Sequence, residues 1–206
     1  MSSPTSESLR ARTRRAVQNE LLDAAQELFA RDGYEHVTIE QIAEAVGVSR
    51  RSFFRYFRSK EAVVLGKYER QGEQFAEALD ARPADEHPWV SLRRVFDGPV
   101  AYMSDPVLGP RAEEMQRIID SSETLRAGFL ERMQRAQDVL VDRLVARAQA
   151  RREDVGRLEV AALVAAAFAA MTVARSHAQR AGIPLDTAVD DAMDAVARGA
   201  VPVGVS

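Results

Sequence analysis

Residues 46–61 read VGVSRRSFFRYFRSKE and carry five positive charges, with no negative charge before the final glutamate. Four aromatic side chains lie among these charges. The segment opens with a turn in which Gly47 suits a positive φ and Ser49 can cap a following helix through its hydroxyl. Because basic and aromatic residues are concentrated in so short a stretch, it is the first candidate for a functional surface.

The residues before this turn predict two helices. Apolar residues recur with helical spacing over residues 13–29, and Gly33 is placed to end that helix. Thr38 and Gln41 have the spacing of a capping box, in which the Thr38 hydroxyl accepts from the Gln41 amide and the Gln41 side chain reaches back. This box begins a short second helix that ends at Gly47.

A third helix is predicted from Ser49 through Phe57, and a fourth begins at Lys60 with Ser59 as its cap. One face of the third helix is aromatic and suits packing on the first two helices; it holds Phe53, Tyr56 and Phe57. Another face is basic and exposed; it holds Arg51, Phe54, Arg55 and Arg58. Two short helices joined by a tight turn indicate a helix-turn-helix, whose second helix lies in the DNA major groove and presents guanidinium groups to phosphates and base edges.

The rest of the chain also predicts helices, with little strand signal, so the fold class is all-α. The expected helices cover about 60–81, a stretch from Pro88 that Gly98-Pro99 kinks or breaks, and about 110–120, 123–150, 154–181 and 185–198. Residues 1–12 are polar and are expected to form a disordered tail. Residues 13–60 are expected to form the helix-turn-helix domain, and 61–206 a separate helical domain.

The composition of the 206 residues excludes several classes of protein. The net charge of −3 divides into +2 for residues 1–60 and −5 for the remainder, which is compatible with a nucleic-acid-binding head. There is no cysteine, which excludes disulfides and thiolate metal sites. The N-terminus has no apolar core of a secretory signal, and the longest apolar run, 160–171, is too short to span a bilayer. We expect a soluble cytoplasmic protein without a membrane partner.

Catalytic motifs are not found in the sequence. The three histidines, His36, His87 and His177, are isolated and lack metal-ligand spacing. Neither a GxSxG motif, a P-loop nor a GxGxxG motif is present. We therefore expect no enzymatic activity, no metal site and no cofactor.

The segment 21–61 resembles the DNA-binding domain of TetR-family transcriptional regulators. The matching elements are Ala24-Ala25, Leu28-Phe29, Gly33-Tyr34, Val37-Thr38-Ile39, Ile42-Ala43, Gly47-Val48-Ser49, Tyr56-Phe57 and Ser59-Lys60-Glu61. The resemblance implies phosphate contacts by Thr38 and Lys60 at two helix starts and a backbone contact by Tyr56. It implies base reading at the start of the third helix, by Ser49, Arg50, Arg51 and Ser52.

Two positions depart from the family pattern. Arg51 stands where the family commonly has glycine, and Phe54 where it commonly has an exposed tyrosine. Phe54 cannot donate a hydrogen bond, so it is a candidate to touch a thymine methyl, and Arg51 is a candidate to compensate. Arg55 lies on the same exposed face. This variant is similar to an actinobacterial branch that includes regulators of the mycofactocin system.

The resemblance implies that residues 61–206 bind a small ligand and form a homodimer. The helix of about 154–181 is apolar on most of its circumference, as expected for a helix covered on several sides. Together with the final helix it is a candidate for half of a four-helix dimer interface. The alternative is that it forms the central helix of a monomer.

The candidate ligand-contacting residues are mostly apolar and include several adaptable methionines. They are Phe96, Met103, Met115, Phe129, Met133, Phe168 and Met171, with Arg111 or Arg117 as candidates for an anionic end of the ligand. Core packing is the alternative role for each apolar residue. As a set they favour a largely apolar effector, and the resemblance suggests an acyl-CoA-like one.

The sequence thus predicts a ligand-relieved repressor that binds a palindromic operator as a dimer. The alternative function is a DNA-architectural or protein-binding helical module that senses no ligand.

Overall fold

The computed structural model describes residues 9–199, without side-chain detail for residues 9–11 and 70. This part of the chain is helical and contains no strand, so the all-α fold class is confirmed. The α-helices are α1 (Leu9–Asp32), α2 (Ile39–Ala45), α3 (Arg50–Phe53), α4 (Lys60–Leu65), α5 (Gln71–Asp80), α6 (Pro88–Val95), α7 (Asp97–Ser104), α8 (Leu108–Ser121), α9 (Glu123–Ala150), α10 (Arg157–Ala181) and α11 (Leu185–Gly199). Short 3₁₀ helices cover Tyr34–His36 and Gly66–Arg70.

The described residues pack into two compact units. Unit 1 consists of residues 9–67 and 114–129, and unit 2 of residues 68–113 and 130–199. Residues 61–67 and 114–129 therefore pack with the residues of the predicted helix-turn-helix domain, beyond its expected boundary at residue 60.

Helix α1 begins earlier than the sequence analysis predicts. Residues 9–12, assigned there to a disordered tail, form its first turn, and residues 1–8 lie outside the described part of the chain. Arginine, alanine and leucine are good helix formers, so this polar segment has the propensity to extend the helix. At the other end Gly33 adopts φ 80° and its amide donates to the carbonyl oxygen of Phe29 at 3.0 Å, as predicted for a helix stop.

Unit 1 has a core of buried apolar side chains from α1, α2, α3, α4, α8, α9 and the segments that join the first four of these helices. The rings of Phe29 and Tyr34 lie 5.1 Å apart, and those of Phe53 and Phe57 lie 5.8 Å apart. The other buried apolar residues of this core include Leu21, Ala25, Val37, Ile42, Ala43, Val63, Val64, Leu65, Met115, Ile118, Ile119 and Leu125.

Three helices begin or end at residues other than those predicted, because a nearby glycine or proline interrupts the helix. The predicted helix 60–81 is interrupted by the 3₁₀ segment Gly66–Arg70, where Gly66 disfavours a continuous α-helix. The break expected at Gly98-Pro99 lies at Phe96, since the Pro99 ring would clash with the Val95 carbonyl in an unbroken helix. Helix α10 begins at Arg157, after Gly156.

Helix α8 begins at Leu108, two residues before the predicted Pro110. The Asp105 carboxylate accepts from the amides of Val107 and Leu108 at 2.8 Å each, which caps the helix start. A Cβ added to Gly109 would lie 2.5 Å from the Met103 carbonyl oxygen, so the turn requires glycine here.

Unit 2 is built around α10, which packs against α6 and α11. Three phenylalanine rings meet edge to face in its core, with Phe96 at 6.2 Å from Phe75 and 5.2 Å from Phe168. A Cβ on Gly72 would lie 3.2 Å from the Ala136 Cα, so α5 and α9 approach closely there. Ala170 and Met193 are buried in this core, on the inner faces of α10 and α11.

Candidate nucleic-acid interface

The turn between α2 and α3 is held by caps on both sides. The Thr38 hydroxyl accepts from the Gln41 amide at 3.2 Å, and the Gln41 side chain accepts from the Thr38 amide at 2.8 Å. This confirms the predicted capping box. Gly47 adopts φ 72°, and the Ser49 hydroxyl accepts from the Ser52 amide at 3.1 Å. The helix-turn-helix is therefore defined by local hydrogen bonds.

The third helix is shorter than predicted. Helix α3 ends at Phe53, and the following residues form tighter turns in which Arg55 and Tyr56 donate to carbonyl oxygens three residues back. The predicted alternation of faces persists through residue 57. Phe53 and Phe57 are buried and Tyr56 is half-buried, whereas Phe54 is 44% exposed.

Residues 49–58, called here the recognition segment, carry a group of unpaired guanidinium groups. Arg51, Arg55 and Arg58 are exposed, and none forms an ion pair within the described residues. Arg50 is exposed as well, but it pairs with Glu40 at 2.8 Å and lies 5.8 Å from the centre of the Phe54 ring. The segment thus presents three uncompensated cations beside an exposed aromatic ring.

The hydroxyl groups at the starts of α2 and α3 are already engaged in capping. Ser49 both accepts from the Ser52 amide and donates to the Ser52 hydroxyl at 3.0 Å, while Thr38 donates to Gln41. These side chains therefore fix the helix starts. The remaining amides of those first turns favour an anion.

Lys60 has a different environment from the one that the resemblance implies. Its Nζ donates to the carbonyl oxygens of Tyr34 at 2.7 Å and Val37 at 3.0 Å, and lies 4.2 Å from the centre of the Tyr34 ring. The ammonium group has three hydrogens, so one remains for a phosphate. The sequence analysis missed this structural role because the carbonyls come from a loop more than twenty residues earlier.

The predicted ligand-contacting residues do not form one group. Met115 and Phe129 belong to unit 1, where Met115 is buried in the core. Unit 2 holds Phe96, Met103, Arg111, Met133, Phe168 and Met171. Among these, Phe96 and Phe168 are in ring contact, Met171 packs against the same core, and Arg111 is exposed.

Unit 2 also contains a cleft of about 490 Å³ that the sequence analysis missed. It is lined by the α5–α6 connection, the end of α9, and the start of α10 with the residues before it. Its lining contains none of the predicted ligand-contacting residues. Arg82 and Ser91 donate to the carboxylate of Glu86 in this lining, which lowers the pKa of Glu86 to about 2. No sequence pattern identifies the cleft, because it forms where three separate segments meet.

Helix α10 is the one helix within residues 9–199 that is long and apolar enough to span a membrane by length and composition alone. Only 28% of its most apolar window, of mean hydropathy 1.7, is buried. Leu158 is 84% exposed and Val173 61% exposed. Its outer surface is therefore an apolar face that unit 2 leaves uncovered.

Comparison with known proteins identifies the family. Residues 21–66 match the family described as bacterial regulatory proteins, tetR family. The HTH-type transcriptional regulator TcmR of Streptomyces glaucescens is 37% identical over 150 residues, which cover 71% of this chain and 66% of TcmR. MftR of Mycobacterium tuberculosis, a regulator named for mycofactocin biosynthesis, is 38% identical over 74 residues, which cover 36% of this chain and 37% of MftR.

A solved structure shares the fold. The crystal structure of FadR of Thermus thermophilus, a TetR-family transcriptional repressor in complex with lauroyl-CoA, matches with a TM-score of 0.57 and 18% identity. The match covers 92% of this chain and 97% of FadR. The named relatives are transcriptional regulators and not enzymes, in agreement with the sequence analysis. This chain belongs to the TetR family of bacterial transcriptional regulators.

Proposed function

We propose that this chain is a sequence-specific transcriptional repressor that binds a palindromic operator as a homodimer in the cytoplasm and leaves it when a small ligand binds. The observation that carries the proposal is the set of three exposed, unpaired arginines on the recognition segment. The proposed DNA-contacting residues are Thr38, Ser49, Arg50, Arg51, Ser52, Phe54, Arg55, Tyr56 and Lys60.

The roles follow from the surroundings of each group. Arg51 lies in the first turn of α3 and has no partner among the described residues, so its guanidinium is available for a guanine edge. The exposed Phe54 ring offers an apolar surface for a thymine methyl. Thr38 and Ser49 orient helix starts toward phosphates, and Lys60 has one hydrogen left for a phosphate while it holds the loop before α2.

The dimer is proposed to form through the uncovered face of α10. Leu158, Ala162, Ala165, Ala169 and Val173 recur at helical spacing and are all exposed, so they form one apolar stripe. Monomeric soluble proteins rarely expose contiguous apolar patches of this kind. Small side chains permit close helix approach, and a second copy offers the same stripe, so the contact is self-complementary. Val196 of α11 is also exposed and is a candidate to extend it.

The effector is proposed to be largely apolar with an anionic end, such as an acyl-CoA. The half-buried Phe168 and Met171 border the aromatic core of unit 2, which supports an apolar contact surface. The lauroyl-CoA bound to FadR, which shares this fold, supports the choice of ligand class. Arg111 of unit 2 is the proposed contact for the anionic end.

The test has two stages. Genomic fragments that bind the protein are selected at physiological salt and sequenced, and acyl-CoAs of increasing chain length are then added to the complex with the recovered site. We expect one inverted-repeat motif and release of the DNA by a subset of chain lengths. Recovery of many unrelated sequences would instead support the architectural alternative. A single motif that no acyl-CoA releases would remove the ligand assignment and leave the operator assignment standing.

A further inference from the structure

The cleft of unit 2 has an apolar floor, defined here by four side chains of α9 and α10. Leu144, Ala148 and Val160 are buried, and Leu163 is half-buried beside them. The cleft volume of about 490 Å³ lies within the range of about 300–1,000 Å³ that is usual for pockets that hold small organic molecules. The floor can therefore contact the apolar body of a small molecule.

The charged groups that line the cleft are not balanced. Four of them are carboxylates and two are guanidinium groups: Asp85, Glu86, Glu153, Glu159, Arg147 and Arg151. With His87 neutral, the formal charge of the lining is −2. A negative lining above an apolar floor favours a molecule that is both apolar and positively charged.

The two guanidinium groups are directed to acceptors of the protein itself. Arg147 donates to two main-chain carbonyl oxygens near the end of α5. Arg151 donates to the Ala84 carbonyl oxygen at 2.8 Å and to the Glu153 carboxylate at 2.8 Å. The positive charges of the lining therefore join parts of unit 2 and do not attract an anion into the cleft.

Two of the four carboxylates are without a charged partner. Arg82 and Ser91 donate to Glu86, and Arg151 to Glu153. Asp85 and Glu159, in contrast, are exposed and form no ion pair within residues 9–199. They belong to two of the segments that line the cleft, the α5–α6 connection and the first turn of α10, so unpaired negative charge is present on both.

We propose that this cleft binds a small organic cation with an apolar body, such as a hydrophobic amine or a quaternary ammonium compound. Its apolar part contacts the floor, and its positive charge lies near Asp85 and Glu159. None of the residues proposed to contact the effector lines the cleft. The site therefore differs from the proposed effector contacts in its position and in the sign of the charge that it favours, and it does not rest on the proposed function.

The experiment compares tetraphenylphosphonium with tetraphenylborate, two ions of the same shape and opposite charge. Each ion is added to the full chain in the absence of DNA. Trp89 is the single tryptophan of the sequence and follows Pro88 of the cleft lining, so its fluorescence reports binding. We expect a saturable change with the phosphonium ion and affinity for the borate ion that is at least about tenfold weaker.

Charge variants test the two unpaired carboxylates. D85N/E159Q removes both negative charges with little change of shape, and should weaken phosphonium binding by about five- to twentyfold. Added salt should weaken binding to wild type more than binding to this variant, because salt screens exposed charges. The matched control E73Q/D191N removes two exposed carboxylates elsewhere in unit 2 and should bind like wild type.

A third variant tests the floor and keeps every charge. Ala148→Leu adds apolar atoms to the cleft and should weaken phosphonium binding because it occupies part of the space. Circular dichroism shows whether this variant is folded. If it is not, D85N/E159Q decides the question, since both of its substitutions lie at exposed positions.

Three results would overturn the inference. The first is the absence of saturable phosphonium binding, and the second is borate binding as tight as phosphonium binding. The third is wild-type phosphonium affinity in D85N/E159Q, which would place the bound cation elsewhere on the protein. Because the assay contains no DNA, these results leave the proposed function untouched, and failure to recover an operator would leave this inference untouched.

Discussion

Arginine side chains in the recognition segment and in unit 2 have different surroundings. Arg51, Arg55 and Arg58 are exposed and form no ion pair within residues 9–199. In unit 2, Arg147 donates to the carbonyl oxygens of Leu79 and Arg82, and Arg151 donates to the Ala84 carbonyl oxygen at 2.8 Å and to Glu153. A guanidinium group that satisfies main-chain carbonyls joins parts of the fold, whereas an unpaired one is available to an external anion.

The unpaired arginines lower the stability of unit 1, and other interactions in unit 1 must offset this loss. Like charges on the recognition segment repel one another, and only Arg50 is paired, with Glu40. The buried rings of Phe53 and Phe57 and the caps at Thr38 and Ser49 hold the segment in place despite that repulsion. The comparison therefore predicts that substitutions in the two units have separable effects on DNA affinity and on stability.

The largest effects are expected from glutamate substitutions at two neighbouring alanines of α10, and the two variants should differ. Ala170 is buried in the core of unit 2 and Ala169 is exposed on the apolar stripe. Ala170→Glu places an unpaired carboxylate in the core at a cost of several kcal/mol, so unit 2 should unfold. Ala169→Glu should remain helical but sediment as a monomer and bind operator weakly.

Circular dichroism and analytical ultracentrifugation check both variants of α10. A folded, dimeric Ala169→Glu protein would place the dimer contact elsewhere. Met193 is buried like Ala170, so Met193→Glu is expected to unfold unit 2 and is not a test of the interface.

Substitution of a unit 2 arginine should reduce stability and not DNA affinity. Arg147→Ala leaves two carbonyl oxygens near the end of α5 without their charged donor, and hydrogen bonds of this kind contribute about 1.5–3 kcal/mol. Chemical denaturation should report that loss. The operator affinity of the folded fraction should equal that of wild type; a loss of affinity at unchanged stability would show that Arg147 acts in DNA binding.

Lys60 is a cation of unit 1 whose surroundings resemble those of the unit 2 arginines, because it donates to main-chain carbonyl oxygens. Lys60→Ala removes two hydrogen bonds to the carbonyl oxygens of Tyr34 and Val37. A hydrogen bond with a charged donor contributes about 1.5–3 kcal/mol to stability. We expect a lower unfolding midpoint together with weaker DNA binding. Weaker DNA binding at unchanged stability would make Lys60 a phosphate contact only.

Substitution of an unpaired arginine should weaken DNA binding and leave stability unchanged, in contrast to Arg147→Ala. Arg51→Ala is expected to weaken operator binding by about 1–3 kcal/mol and to relax preference at one base step. The unfolding midpoint should be unchanged, because Arg51 is exposed and contacts no partner among the described residues. An equal loss on operator and random DNA, measured by fluorescence anisotropy, would reduce Arg51 to a phosphate contact.

The smallest effect concerns the acid stability of unit 2. Hydrogen bonds from Arg82 and Ser91 lower the pKa of Glu86 from 4.5 to about 2. A carboxyl group whose folded pKa is lowered stabilises the fold above its unfolded pKa, and this contribution is lost as pH falls from 4.5 toward 2. Glu86→Gln should therefore show a shallower loss of stability over that window. A steeper loss would contradict the assignment.

Local signals predicted the helix-turn-helix because each operates over a few residues. The capping box of Thr38 and Gln41, the Ser49 cap and the positive φ of Gly47 are all present. The predicted extent of α3 was wrong, since Arg55 and Tyr56 donate to carbonyl oxygens three residues back and so turn more tightly than an α-helix. The break near Pro99 was displaced because proline acts on the carbonyl four residues earlier.

Features that depend on distant segments could not be predicted. The cleft of unit 2 needs three separate stretches to meet, and the carbonyl partners of Lys60 lie more than twenty residues away in sequence. The sequence could not indicate which face of α10 is buried, because this helix is rich in alanine and valine and has no polar side to mark the exposed face. Only packing distinguishes Ala169 from Ala170.

We propose that the unpaired cations of the recognition segment read a specific DNA sequence. The most direct measurement is the ratio of dissociation constants for random duplex DNA and for the selected site, both at physiological salt with wild-type protein. Sequence-specific regulators typically show ratios of about 10³–10⁷, and we predict a value in that range. A ratio near one would contradict sequence-specific reading, since the same cations would then bind any duplex through its phosphates alone.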